Sequence, residues 1–190
     1  MQVSTPTLTV IGLYMKRVSN QPGVAVPQLE FRPGHGVVGE LNAGAMLMTG
    51  AGELIPNVRH FTAVSPFELG EIAAALKIPF LDPAWLSANI CFDGLDRLTK
   101  VLVAGTRLLN AEGQAVLEVK DETDPCLKMG QRLASLHPLH EIQPQYFPKY
   151  AYGLRGVYGI ALEPTVIRLY DTLTVVLPAD VGEDGVEDHE

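Results

Sequence analysis

Residues 89–119 read NICFDGLDRLTKVLVAGTRLLNAEGQAVLEV. They hold four short apolar runs, Ile90–Phe92, Leu98–Val103, Thr106–Leu109 and Ala115–Val119, each cut from the next by Gly or polar residues. Runs this short and this closely spaced read as strands. Strands recurring without long amphipathic helices between them build a barrel or sandwich, not a βαβ array. Asn110-Ala111-Glu112-Gly113 supplies a hairpin turn between the last two runs, with Gly113 as its turn residue. The stretch therefore predicts a mainly β domain.

Working outward, Thr7–Val18 is rich in β-branched residues and reads as a first strand. Residues 19–57 carry many Gly, Pro and Asn and read as loops joining short strands, and Val58–Val64 is a further strand. Ser65-Pro66-Phe67-Glu68 is a helix start: Ser65 caps, Pro66 suits the first helical position, and Glu68 completes a capping box. Leu69, Ile72, Ala73 and Leu76 then share one helical face. Asp82-Pro83 repeats the signal for a short helix carrying Trp85 and Leu86. Helical character returns near Cys126–Leu136, and Arg155–Leu162 and Thr172–Leu177 read as closing strands. With no repeat and no internal linker, residues 1–179 form one α+β domain, mainly β with a few short helices.

The apolar fraction of 47% and charged fraction of 19% belong to an ordinary globular chain and exclude disordered and coiled-coil classes. The net charge of −8 is unevenly placed, since residues 180–190 (DVGEDGVEDHE) hold six acids and no Lys or Arg. That segment reads as an acidic, disordered tail on a nearly neutral body. A chain without a basic stripe is a poor nucleic-acid binder. No apolar run approaches the roughly 18 residues of a membrane span. The N-terminus lacks a basic start and a small-residue cleavage site, so it does not read as a signal peptide. Cys91 and Cys126 lie far apart without metal-knuckle spacing, which makes free thiols in a cytoplasmic protein the default.

Chemistry concentrates in Asp124-Pro125-Cys126-Leu127-Lys128. With Asp124 as N-cap and Pro125 as first helical residue, Cys126 falls in a first helical turn, where free N–H groups and the helix dipole favour an anion. A thiol there is expected to be a good nucleophile or metal ligand, and Lys128 and Arg132 add positive charge. The competing reading makes Cys126 a small buried hydrophobe. Cys91, inside an apolar strand, reads as a packed core thiol. Gly34-His35-Gly36-Val37-Val38-Gly39-Glu40 is a weak phosphate cradle, because no strand-to-helix context and no Lys-Ser/Thr follow; a tight turn is the plainer reading. The five histidines show no metal-ligand spacing, and no Ser-His-Asp arrangement stands out.

The order of these segments resembles the MOSC domain, the C-terminal domain of molybdenum-cofactor sulfurases, over roughly Leu8 to Val176. Gly36-Val37-Val38-Gly39-Glu40 is similar to the family's early glycine-rich element, with Glu40 where Asp is usual. Arg59-His60-Phe61-Thr62-Ala63-Val64-Ser65 is similar to its next block, and Asn89 through Leu95 to its Asn-apolar-Gly-apolar element. Gly105-Thr106-Arg107-Leu108 and Ala115–Val119 correspond to strands before the active cysteine. Asp124-Pro125-Cys126 matches the Pro-Cys signature, and Arg155-Gly156-Val157-Tyr158 and Asp171-Thr172-Leu173 the closing block, with Tyr170 where Gly is common.

The resemblance implies a MOSC-type β-barrel-like fold and molybdenum cofactor (molybdopterin) as ligand. It implies Cys126 as catalytic residue, serving as molybdenum ligand or persulfide-bearing sulfur carrier. Arg59, Lys128 and Arg155 are candidates for the pterin's phosphate, since Arg offers a bidentate fork, and Asn89 joins the cofactor-binding set. Larger relatives fuse this domain to a pyridoxal-phosphate sulfurase, for which this chain has no room, so no pyridoxal phosphate is expected. Three functions stay open: a molybdenum-dependent reductase of N-hydroxylated compounds fed by an electron-donor protein, a sulfur carrier loaded by a cysteine desulfurase, and a non-catalytic cofactor carrier or sensor.

Overall fold

Ile90 and Phe92 are fully buried on one face of their strand, while Cys91 between them is buried on the other. That period-two alternation, with both faces covered, sets the plan of the molecule: a closed barrel with a helical layer against one side. The computed structural model describes residues 6–178. The acidic segment 180–190 lies outside the described residues.

In chain order the first strands are β1 (Thr7–Met15), β2 (Val24–Ala25), β3 (Gln28–Arg32), β4 (Gly36–Val37), β5 (Met46–Met48), β6 (Leu54–Pro56) and β7 (Phe61–Val64). Helix α1 (Pro66–Leu76), a 3-10 turn at Pro83–Leu86, β8 (Ile90–Asp93) and α2 (Leu98–Val101) follow. Then come β9 (Arg107–Leu109), β10 (Ala115–Glu122), α3 (Leu127–Leu136), α4 (Phe147–Ala151), β11 (Val157–Ala161), β12 (Thr165–Arg168) and β13 (Thr172–Val176).

Seven strands run β13-β9-β10-β11-β7-β8-β1, and β13 returns to β1 from Thr7↔Thr174 to Thr9↔Thr172, closing the barrel. Closure leaves no free edge among them. All pairs are antiparallel except β7–β8, which run parallel with Ala63 opposite Ile90. The barrel core holds Leu8, Val10, Phe61, Phe92, Leu117 and Val157, joined by Phe31 and Ile167 from the smaller β12-β3-β4 sheet. A second core packs Leu69 and Ile72 of α1, Leu133 of α3 and Phe147 of α4 over Val64 and Cys91.

The expected helix start at Ser65 forms: Ser65 Oγ accepts from the Phe67 N–H at 3.2 Å, and Pro66 is the first helical residue. The capping box does not close. Glu68 instead turns inward, fully buried, and accepts from the Thr99 N–H at 2.9 Å and the Thr99 hydroxyl at 2.8 Å. Leu98–Val103, expected as a strand, contains helix α2. The spacing explains it: Leu98 and Leu102 both reach the barrel core, one helical turn apart, whereas strict alternation would carry Lys100 inward with them.

The helix expected from Asp124 begins later, at Leu127, with Cys126 itself as N-cap in extended backbone (φ −133°, ψ 157°). Two constraints delay it. The β10–β11 ladder continues through a bond from the Thr123 N–H to the Gly156 carbonyl, and Pro125 disfavours helical backbone at Asp124. The first strand stops at Met15 rather than Val18, and β7 begins at Phe61 rather than Val58. β12 had no counterpart in the sequence reading.

Candidate cofactor and thiol site

The site grows from the segment after the 3-10 turn. Asp82 Oδ1 accepts from the Ala84 N–H at 2.8 Å and starts the turn; Ser87 ends it in left-handed backbone (φ 58°). Residues 86–89 are then held in place by six groups. The Leu86 carbonyl accepts from Arg155 Nη2 at 2.6 Å. Ser87 Oγ accepts from Arg132 Nη1 at 3.1 Å and Lys16 Nζ at 3.3 Å. Asn89 Nδ2 donates to Glu40 Oε1 at 2.6 Å and to the Tyr14 carbonyl at 3.4 Å, while its Oδ1 accepts from the Thr62 N–H at 2.9 Å.

Two clefts open on either side of this segment. One, of about 520 Å³, is lined by Lys16, Ser87, Cys126, Lys128, Met129 and Arg132 among others. The other, of about 420 Å³, is lined by Lys16, Glu40, Leu47, Arg59, Ser87 and Asn89 among others. Lys16 and Ser87 belong to both, so the two clefts adjoin at these residues. Cys126 is exposed in the first cleft and makes no side-chain cap bond.

The electrostatics are lopsided. Among the described residues, none of Lys16, Arg59, Lys128, Arg132 and Arg155 forms an ion pair; the pairs found use Arg32, Arg97, Arg107 and Lys120. Arg155 is only 5% exposed, and its Nη1 has no partner among the described residues. Burial pushes its guanidinium down to about 10; the nearby Cys126 acts the other way, and Arg59 and Arg132 push it further down. Arg132 Nε and Nη2 are also buried without partners there, and burial lowers its pKa. Lys16 is lowered by burial first and by Arg132 next. Burial raises Glu40, with the Asn89 amide and the Lys16 N–H opposing it.

The structure thus brings Cys126 and Lys128 into one cleft and Arg59 and Asn89 into its neighbour, with Arg155 beneath. Arg59 is exposed and stacks on Tyr158, its guanidinium carbon 4.1 Å from the ring centre. The Asn89 amide is occupied in joining β7, β8 and Glu40, so its reach toward a ligand is small. Glu40, one methylene longer than Asp, takes up the Asn89 amide. Asp171 closes the β12–β13 turn by accepting from the Arg168 N–H at 2.7 Å and lines neither cleft. Tyr170 before it sits at φ 72°, the conformation that favours Gly. His60 is structural: buried, its Nδ1 accepts from the Ala161 N–H at 3.0 Å. Lys16 and Ser87 were missed by the sequence reading; a lone Lys at a strand end and a Ser after a Trp-Leu pair carry no signal. Cys91 is buried as expected, and burial pushes its thiol up to about 12.

A closed seven-stranded barrel with helices on one flank and a cysteine at a helix start beside a basic groove defines the class. The family model for the MOSC domain matches residues 54–174, and the chain belongs to that family. It is 31% identical over 171 residues to Bacillus subtilis YuaD, described as a putative metal-sulfur cluster biosynthesis protein, covering 86% of this chain and 88% of YuaD. The YuaD crystal structure superposes with a TM-score of 0.80, covering 89% of this chain and 95% of that one. YiiM from Escherichia coli shares the fold at 15% identity and a TM-score of 0.56, over 90% of this chain and 70% of its own. YiiM from Geobacillus stearothermophilus does so at 18% and 0.57, over 90% and 75%.

Proposed function

We propose that this protein binds molybdenum cofactor in the groove at Ser87, with Cys126 as the protein's thiolate ligand to the metal and the surrounding cations facing the cofactor's negative charge. One observation carries the reading: three cations without a carboxylate partner among the described residues, Lys16, Lys128 and Arg132, line the cleft of one exposed thiol, with the unpaired, buried Arg155 close enough to feel its charge. Desolvating a cation without a counter-charge is unfavourable, so such a cluster favours an incoming anion. A single thiolate suits a soft metal. Among the described residues no group of three or more His, Cys, Asp or Glu could hold a bare ion, so a metal at Cys126 would bring its other ligands with it, as a pterin dithiolene does.

When bound, the cofactor supplies oxygen-atom and two-electron chemistry, here the reduction of an N-hydroxylated substrate. The chain's residues hold and shield. Lys128 lines the same cleft as Cys126, and Arg155 adds buried positive charge nearby. Arg59, held flat by Tyr158, and Glu40 border the second cleft, where a substrate body would lie. No helix is long and apolar enough to cross a membrane among the described residues. Electrons would come from a separate donor protein.

The exposure of Cys126 and the description of YuaD favour a second reading, a sulfur carrier. The Cys126 thiolate attacks the sulfane sulfur of a desulfurase persulfide, the donor S–S bond breaks, and the donor cysteine leaves as thiolate. Metal and pterin analysis of protein purified from a cofactor-producing host separates the two. Molybdenum and pterin near one per chain support the first; their absence, with persulfide on Cys126 after treatment with a cysteine desulfurase, supports the second and overturns the first.

A further inference from the structure

The chain carries two charge imbalances of opposite sign. In the Cys126 cleft, Lys16, Lys128 and Arg132 have no carboxylate partner among the described residues. Residues 179–190 (ADVGEDGVEDHE) hold Asp180, Glu183, Asp184, Glu187, Asp188 and Glu190 with no Lys or Arg, and lie outside the described residues. The point from which that segment departs is fixed. Strands β13 and β10 both pair antiparallel with β9, so both run toward the end of β10 that leads into Cys126. Pro178 lies beside Gly105, where an added Cβ would stand 3.5 Å from it, and the Gly105 N–H donates to the Val119 carbonyl at 2.9 Å. Pro178 is therefore about 10 Å from Val119, two strand spacings. The chain from Val119 to Cys126 spans at most about 24 Å, and residues 179–190 reach about 40 Å when extended, so the segment can enter the cleft.

We propose that Glu187, Asp188 and Glu190 dock in the same chain against Lys16, Lys128 and Arg132, making the acidic segment a strap across the Cys126 cleft that a ligand must displace. The charges along the way favour the outer acids. Near the root, Arg107 and Lys120 are already answered, both by Glu118. Beyond them Asp121, Glu122 and Asp124 precede Cys126 and repel the segment's middle. Three acids then meet three unanswered cations. Ion pairs at such a partly exposed site are individually weak and screened by salt, but the tether supplies a high local concentration. The strap is thus stable enough to cover the thiol and weak enough to yield. It neutralises the cleft while no ligand is bound and keeps small electrophiles from Cys126. It does not depend on what the ligand is, so its failure leaves the cofactor reading standing.

The test is made on the full chain. A water-soluble carbodiimide joins carboxylates to amines in direct contact, and its products are mapped by mass spectrometry. Glu187, Asp188 or Glu190 should be linked to Lys16 or Lys128, and not to Lys77, an exposed lysine at the end of α1 that lines neither cleft. Mixing isotope-labelled with unlabelled protein should show the links within single chains. Iodoacetamide, which is uncharged, reads the covering of the thiol. At low salt it should label Cys126 roughly three- to tenfold faster in the variant carrying Glu187→Gln, Asp188→Asn and Glu190→Gln than in wild type. The difference should vanish at about 0.5 M NaCl, where such pairs are screened. A chain ending at Pro178 should label as the triple variant does; melting curves confirm folding, and should the shortened chain not fold, the triple variant decides alone. Equal labelling of wild type and triple variant at low salt overturns the strap. So do links to Lys77 as frequent as those to Lys16 and Lys128, or links found only between labelled and unlabelled chains, which would place a second copy's segment in the cleft.

Discussion

Buried charge is treated in opposite ways on two flanks of this barrel. Beside α1 and α2, Glu68 is sealed from solvent and fully bonded. It accepts the Thr99 N–H and hydroxyl, and Thr99 Oγ1 in turn accepts from the Gly156 N–H at 2.9 Å. One residue away, Arg155 is nearly as deep, yet among the described residues it lacks a partner for Nη1 and any counter-ion. The two cysteines follow the same division: Cys91 packed under α1, Cys126 exposed among cations. The division points to where function lies. On the proposed reading, a buried charge answered by its own chain holds the fold, and one left unanswered is kept for something from outside.

The sharpest contrast is between the thiols. Iodoacetamide at neutral pH is expected to label Cys126 at least about a thousandfold faster than Cys91, because Cys91 is buried and, with its thiol pushed up to about 12, is thiolate to only about one part in 10⁵ at pH 7. Peptide mapping after brief exposure measures it. Comparable labelling of both would erase the division.

Stability separates the buried charges next. Glu68→Ala strands the Thr99 N–H and hydroxyl in the interior and should cost about 3 kcal/mol in urea unfolding. Arg132→Gln removes a desolvated, unpaired cation and should change stability by less than about 1 kcal/mol, or increase it. A larger loss for Arg132→Gln than for Glu68→Ala would reverse the roles assigned to the two flanks.

A smaller effect follows from pH. Burial raises the folded pKa of Glu68 above its ordinary 4.5, so the native state holds that proton more tightly than the unfolded chain does. Its titration therefore favours folding in full below about pH 4.5. That contribution is lost as pH rises through the raised value, by at most about 1.4 kcal/mol for each pH unit crossed. The stability of wild type relative to Glu68→Gln should accordingly fall between pH 4.5 and 7. A relative stability that rises over that range would contradict the burial-driven direction.

Much of this was legible in the sequence, for identifiable reasons. Ser65-Pro66 and Asp82-Pro83 mark helix starts because capping is local chemistry, and both form. Short apolar runs announced a barrel or sandwich because strand period is set by the pleat itself, and the family resemblance pointed to the barrel. Where the reading failed, a distant partner decided. Glu68 left its capping role for Thr99, 31 residues away, and α2 replaced a strand because Leu98 and Leu102 share one core. Cys126 was visible through its Pro-Cys context. Lys128 and Arg132 were visible beside it, one turn apart, but Lys16 and Ser87 were not, since they are brought to Arg132 only by closure of the barrel and the packing of α3.

On the proposed reading, Cys126 carries the chemistry and contributes little to the fold. Purifying wild type, Cys126→Ser and Cys91→Ser from a cofactor-producing host, and measuring molybdenum, pterin and unfolding together, puts both halves of that statement at risk. Cys126→Ser should lie within about 1 kcal/mol of wild type in stability, because its side chain is exposed and makes no cap bond, yet retain almost no molybdenum. Cys91→Ser should keep its molybdenum while losing roughly 1–3 kcal/mol through a buried hydroxyl. A well-folded Cys126→Ser that binds molybdenum and pterin as wild type does would contradict it.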